Sequence, residues 1–471
     1  MDTRMDGAVT PNGTSVKIPG ITVFSGGTAA NSLVDVFNTL VAKRGCQCQL
    51  NYVIPISDNG GSSSELIRFV GGPSVGDVRS RLVRLIPNHD TNAERSALKT
   101  LFEYRLCSDP LKARSEWLDI VEARSLLWTF ISSPKRELIR SILNTLNLEI
   151  VKRARPTSAF NFAEASIGNM FLTGARIFSG SFESAICLLS MICSIPETVA
   201  VLPAINSNFT HHICAGLADG TSIAGQVNIS HPSAPTALPD DTVEIPALTA
   251  ADHDRIEDAN LPGSLPILRR QHITFSKDDE EDLPARIERL WYINPYGHEI
   301  WPVPNPKVLQ ALGDSDTVIY SIGSLYTSII PSLVLKGVGQ AIANPRVKKK
   351  VLILNGRLDR ETGPKHDAMT AVDFARAIAR AGAESWMPKA AEVIMEKGEM
   401  EEAKGLLRKY VTHLVYLEDN EQGPKVDVRE LGKLGVICVK VHGKTVGEGR
   451  RAVLRYDEVE LGMALEGIIE C

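Results

Sequence analysis

Residues 57–65 read SDNGGSSSE, with no apolar side chain from 57 to 64. They separate an apolar run, YVIPI, from a helical pattern, ELIRFV. Gly60 and Gly61 let the backbone take positive φ or come close to a ligand. Asn59, Ser62 and Ser63 add short polar groups, and the N–H groups that open a helix carry partial positive charge. Such a turn is an anion cradle suited to phosphate. Asp58 needs a different reason, because a carboxylate repels phosphate. It becomes useful if it holds Mg²⁺ against phosphate oxygens or accepts a proton from an attacking hydroxyl. The alternative is that it caps the following helix, where Asp is a preferred residue.

Three more turns have this composition. SGGTAANS at 25–32 contains Gly26, Gly27, Thr28 and Asn31. GSLYTSIIPS at 323–332 contains Gly323, Ser324, Thr327 and Ser328, and ASIGNMFLTG at 165–174 contains Asn169. GGPSVGDVRSRL at 71–82 adds Asp77 and Arg79 at a helix start. Arg79 can grip phosphate or carboxylate bidentately, and its two-residue spacing from Asp77 keeps the pair from facing each other on a helix. A single Ser/Gly turn needs no more explanation than capping. Several at one sheet edge point to a ligand. GGTAAN is neither a GxGxxG fingerprint nor a GxxxxGK[ST] loop, which disfavours a dinucleotide enzyme and a P-loop nucleotidase.

These turns need elements to hold them. Short apolar runs read as strands: ITVF, YVIPI, TVIYSI, VLILN, HLVYL and GVICVKV. After the first, Leu33, Val36, Phe37, Leu40 and Val41 fall on one helical stripe. Continuous apolar strands alternating with such helices mean an α/β fold with a buried, mostly parallel sheet and helices on both faces. In such sheets ligands bind beyond the carboxyl ends of the strands, where these turns lie.

Residues 1–19 read as a polar tail and 20–471 as the α/β domain. Residues 88–160 read as a charged helical insertion with Trp117 and Trp128 as core anchors. Residues about 231–285 read as a Pro-rich, then acidic loop, and 384–410 as amphipathic helix without strand signals. The chain has 471 residues, 44% hydrophobic and 23% charged, which is normal for a globular protein with a core. Its net charge of -5 speaks against a general nucleic-acid binder. The basic run RVKKK at 346–350 reads as a solvated loop. Eight cysteines without a CxxC pair suit reduced thiols in the cytoplasm. Ten histidines show no HExxH, and no apolar run reaches membrane-spanning length. The expected partner is a small molecule, with no nucleic acid and no membrane, and a homodimer is left open.

The ordered blocks FSGGTAANSL, ISDNGGSSSELIR, GPSVGDVRSRL, SIGNMFLTGA, GSFESAICLLS, ARIERLWY, SIGSLYTSIIPSL and ETGPKHDAMTAVDFARAI resemble the CofD-like family. That family comprises 2-phospho-L-lactate transferases and bacterial gluconeogenesis factors, and the likeness is nearer to the second branch. The resemblance implies a Rossmann-like core. For the transferase branch it implies transfer of a phospholactyl group from a guanosine diphosphate donor, with Mg²⁺ at Asp58. For the other branch it implies binding of a UDP-sugar and regulation of carbon flow. Two departures stand out. Asn59 occupies a position where the family often has a second acid, and Ala29 and Ala30 replace glycines of the first turn. Three readings result: a nucleotide-diphosphate transferase of phosphorus-containing groups, a non-catalytic UDP-sugar sensor, and an NAD(P)-dependent oxidoreductase.

Overall fold

The computed structural model describes residues 19–27, 29–45, 48–57, 60–87, 92–156, 158–233, 235–236, 238, 264–269, 281–387, 400–447 and 453–470. Thr28, Asp58, Asn59, the 1–18 tail and most of the 231–285 loop lie outside them. So do residues 388–399 of the expected amphipathic stretch, within which Met400–Arg408 is helical.

Seven strands form one parallel sheet: β1 (Gly20–Phe24), β2 (Leu50–Ile54), β3 (Val199–Pro203), β4 (Ser315–Tyr320), β5 (Lys349–Ile353), β6 (His413–Leu417) and β7 (Ile437–Val441). Their order is β7-β6-β5-β4-β1-β2-β3, with every neighbouring pair parallel. Every residue of β1 and β2 is buried, which is why both read as unbroken apolar runs. Thr22 is the polar exception in β1, and it shares a 2.8 Å hydrogen bond with Ser315 at the start of β4.

Winding runs outward from β1 in one direction to β3 and in the other to β7. Right-handed crossovers on a sheet wound in both directions put helices on opposite faces. Helix α1 (Val34–Arg44) packs with the C-terminal helix Glu458–Glu470, while Pro306–Asp314 packs on β1, β4 and β3.

The remaining helices that matter for the site are α2 (Gly61–Val70), α3 (Gly76–Arg84), α4 (Ala93–Glu103), α5 (Pro110–Val121), α6 (Ser133–Arg153) and α7 (Ile167–Ser179). Trp117 and Trp128 are buried in the helical region, as expected. Their indole nitrogens donate to Asn147 Oδ1 at 2.9 Å and to the Ile120 carbonyl at 3.0 Å. Helix α6 packs along α7 and so backs the helix that carries Asn169.

All six expected strands form. The additions are β3, a four-stranded antiparallel sheet of His212–Leu217, Ser222–Ala224, Ile287–Ile293 and Glu299–Ile300, and a C-terminal hairpin of β8 (Gly443–Val446) and β9 (Val453–Tyr456). The hairpin is mostly half-buried or exposed, so it carries no continuous apolar signal. The basic run is not a solvated loop throughout: β5 begins at Lys349, and Lys350 is buried. No helix among the described residues is long and apolar enough to cross a membrane.

Candidate functional site

The winding reverses between β1 and β4, the place where open α/β sheets hold ligands. The turn after β1 is fixed there by one face of α3. Asp77 accepts the Gly27 N–H, Ser80 Oγ accepts from Asn31 Nδ2 at 2.8 Å, and Arg81 reaches Ser25 Oγ and the Ala30 carbonyl, each at 3.2 Å. Positions 77, 80 and 81 are neighbours on a helix surface. Arg81 is almost fully buried, with its guanidinium 4.5 Å from the centre of the Tyr52 ring. Burial pushes the Asp77 carboxyl upward, against the Gly27 bond and the two arginines Arg81 and Arg79, which pull it down.

The turn after β2 connects to α7. Asn169 Nδ2 donates to Ser62 Oγ at 2.9 Å and to Ser63 Oγ at 3.4 Å, and Asn169 Oδ1 accepts from Arg79 Nε at 3.1 Å. Four residues singled out in the sequence thus form one hydrogen-bonded chain across α2, α3 and α7. Burial and the nearby Arg105 lower Arg79 to about 10. Its side chain fits because residue 168 is glycine: a Cβ there would fall 2.7 Å from Arg79 Cδ and 2.5 Å from the Phe102 carbonyl oxygen. Gly61 has φ +52 and open space around it, as a backbone turned toward a ligand requires.

The turn after β4 differs from expectation in two respects. Thr327 does not face a ligand. Its N–H (2.9 Å), its hydroxyl (2.6 Å) and the Tyr326 N–H (3.0 Å) all donate to the buried carboxylate of Glu361. The chain fills this helix start with its own carboxyl group, where the partial positive charge favours the ionised form. Ser230 Oγ donates to the same carboxylate at 2.7 Å. Burial, and then Asp359, raise Glu361 to about 7. Nor does Gly26 serve a ligand's approach: a Cβ there would lie 2.7 Å from Ser328 Cβ and Oγ, so Gly26 makes room for Ser328.

Gly323 and Ser324 do reach the open site. Gly323, at φ +139, donates to Asn355 Oδ1 at 3.0 Å and accepts from Asn355 Nδ2 at 2.7 Å. Ser324 Oγ donates to Asp359 Oδ2 at 2.9 Å. A cleft of about 490 Å³ opens here, lined by Ala29, Leu33, Gly323, Ser324, Asn355 and Asp359 and by residues of the β8–β9 hairpin. That volume lies in the range of small-molecule sites.

Sequence reading missed Arg81, Asn355, Asp359, Glu361 and the hairpin. NGRLDRETG directly follows β5, so the rule used for the other strand ends would have flagged Asn355 and Asp359. No group of three or more His, Cys, Asp or Glu suited to a metal occurs among the described residues. Mg²⁺ commonly takes one or two carboxylates plus substrate phosphates, and Asp77 beside the first turn suits that pattern.

Comparison with known proteins places these features in a wider set. The family model for 2-phospho-L-lactate transferase CofD matches residues 21–442. An uncharacterized protein of Saccharomyces cerevisiae, YNL011C, is 40% identical over 382 residues, covering 76% of this chain and 84% of its own. A gluconeogenesis factor of Halalkalibacterium halodurans is 20% identical, covering 74% of this chain and 72% of its own. A crystal structure of a UPF0052-family protein from Bacillus halodurans superposes with a TM-score of 0.55 at 19% identity, over 96% of this chain and 99% of that one. It shares the fold.

Proposed function

Since the chain belongs to the CofD family, we propose that its cleft binds a nucleoside diphosphate or a nucleoside-diphosphate conjugate, and that the protein transfers a phosphorus-containing group from it. One observation carries this reading: the Ser/Gly turns after β1 and β4 flank the point where the sheet's winding reverses, with a cleft of ligand size on the Gly323–Ser324 side. The phosphates lie on the Gly323–Ser324 side of the cleft. Arg79, held by Asn169, supplies a cation near the second turn. As the family resemblance implies, Asp58 would hold Mg²⁺, which when bound neutralises phosphate charge. A cytoplasmic location is the expectation from its cysteine pattern.

The second reading, a sensor of UDP-sugars with no acceptor, draws on the relatives named gluconeogenesis factor and on Asn59 in place of a second acid. Calorimetry with GDP, UDP, UDP-N-acetylglucosamine and NADPH, with and without Mg²⁺, tests the site. Mass spectrometry of a transferred group tests the chemistry. In the transferase reading Asp58→Asn removes turnover and leaves nucleotide binding largely intact. Full turnover by that variant would eliminate the role given to Asp58, and binding of NADPH alone would overturn the nucleoside-diphosphate assignment.

A further inference from the structure

The family match ends at His442, one residue before the β8–β9 hairpin begins. Yet the hairpin is a wall of the cleft: Lys444, Val446, Val453 and Arg455 all line it. The antiparallel register explains why these four act together. Lys444 lies opposite Arg455 and Val446 opposite Val453, and residues two apart on a strand share a face. One face of the hairpin thus carries a cationic pair next to an aliphatic pair.

The hairpin is firmly docked. Tyr456, buried, donates its hydroxyl to the Leu354 carbonyl just past β5 at 2.7 Å, with the Val415 carbonyl in the middle of β6 3.2 Å away. The Leu454 carbonyl lies 3.0 Å from where a Cβ at Gly356 would be. This docking accounts for Leu454 and Tyr456, which also line the cleft, but not for Lys444, Val446, Val453 and Arg455. Like charges directly opposite one another destabilise an antiparallel pair. Among the described residues, the Glu458 carboxylate lies 3.5 Å from Lys444, and both are about half exposed. An anion in the cleft would relieve the repulsion.

We propose that this hairpin is a ligand-specificity wall lying outside the segment that the family match covers. Its Val446–Val453 pair packs on the planar base of a nucleoside diphosphate, in a cleft that Leu33 and Leu417 also line, and its Lys444–Arg455 pair neutralises that ligand's phosphate charge. The inference rests on the nucleoside-diphosphate reading of the cleft. It adds that affinity depends on the base as well as on the phosphates.

Calorimetry on the full chain separates the two. The probes are GDP, UDP and inorganic pyrophosphate. The variants are Lys444→Glu with Arg455→Glu, Val446→Ser with Val453→Ser, and Ser324→Glu as the phosphate-side control. Circular dichroism melting confirms that each variant folds; the charge variant alters exposed side chains only. The expected result is that the valine variant weakens the better-bound nucleotide by about tenfold or more and leaves pyrophosphate unchanged, while the charge variant weakens both. Nucleotide binding that is lost in Ser324→Glu but unchanged in both hairpin variants would overturn the wall and keep the cleft reading. No binding of either nucleotide by the natural chain, with or without Mg²⁺, would overturn both.

Discussion

Gly26 and Ser328 meet where the first and third turns cross. With a Cβ at residue 26 only 2.7 Å from Ser328, Gly26→Ala must push the two turns apart. Overpacking of this kind costs about 1–3 kcal/mol. Ser328→Gly in the same chain removes the obstructing atoms and should recover most of that loss in urea unfolding. Additive losses in the double variant would show that the clash is not the cause. Glu361 is the other residue whose role is its environment. Its acid form is favoured in the fold, at about 7, above the 4.3 or so of an exposed Glu. The folded state therefore holds a proton that the unfolded state has released between those values, so this group's contribution falls as pH rises through that window. Glu361→Gln keeps an acceptor for the Tyr326 and Thr327 amides and does not titrate. Relative to the natural chain, its stability should improve steadily from about pH 4.5 to 7. Parallel stability curves for the two proteins would contradict the raised value.

At the scale of elements, α3 is the part that shapes the first turn. Asp77, Ser80 and Arg81 reach that turn from one helix face, and Arg81 does so from inside the core. Arg81→Met keeps much of the volume but leaves the Ser25 hydroxyl and the Ala30 carbonyl without this donor. Breaking a buried, hydrogen-bonded charge in this way should cost about 2–4 kcal/mol. It should also weaken nucleotide binding, although Arg81 does not line the cleft. A variant with natural stability and natural affinity would remove α3 from the account of the site. Helix α7 has a parallel role for the second turn, because Asn169 bonds Ser62 and Arg79 together.

At the scale of the molecule, the sheet brings residues from positions 25 to 456 to one edge. A net charge of -5 gives no general attraction for anions. The cations that matter are local: Arg357, Lys444 and Arg455 line the cleft with two acids, Asp359 and Glu458. A nucleoside diphosphate at about 100 times its Kd should add roughly 2.7 kcal/mol of stability, seen as a rise in Tm. NAD(H) and NADP(H) should give no such rise, because GGTAAN after β1 is not the GxGxxG fingerprint of a dinucleotide site. A clear rise with NADPH, and none with any nucleoside diphosphate, would reverse that assignment.

The sequence by itself determined the parallel core, because strands buried on both faces are mostly apolar and the six runs from ITVF to GVICVKV are mostly apolar. It also determined that turns rich in Ser and Gly sit at the carboxyl ends of β1, β2 and β4. The pairing of Asn169 with Ser62 and Arg79 was legible only as three polar residues in three turns; the fold made them one chain. Tertiary structure alone decided which donors stay available. Thr327 looked like part of a phosphate cradle until Glu361, 34 residues later, took its hydrogen bonds. Gly26 looked like room for a ligand until Ser328 filled that space. The β8–β9 wall was silent in the sequence because a short, half-exposed hairpin has no apolar run. Its meaning comes from where Tyr456 anchors it, a contact across 102 residues that no local pattern encodes.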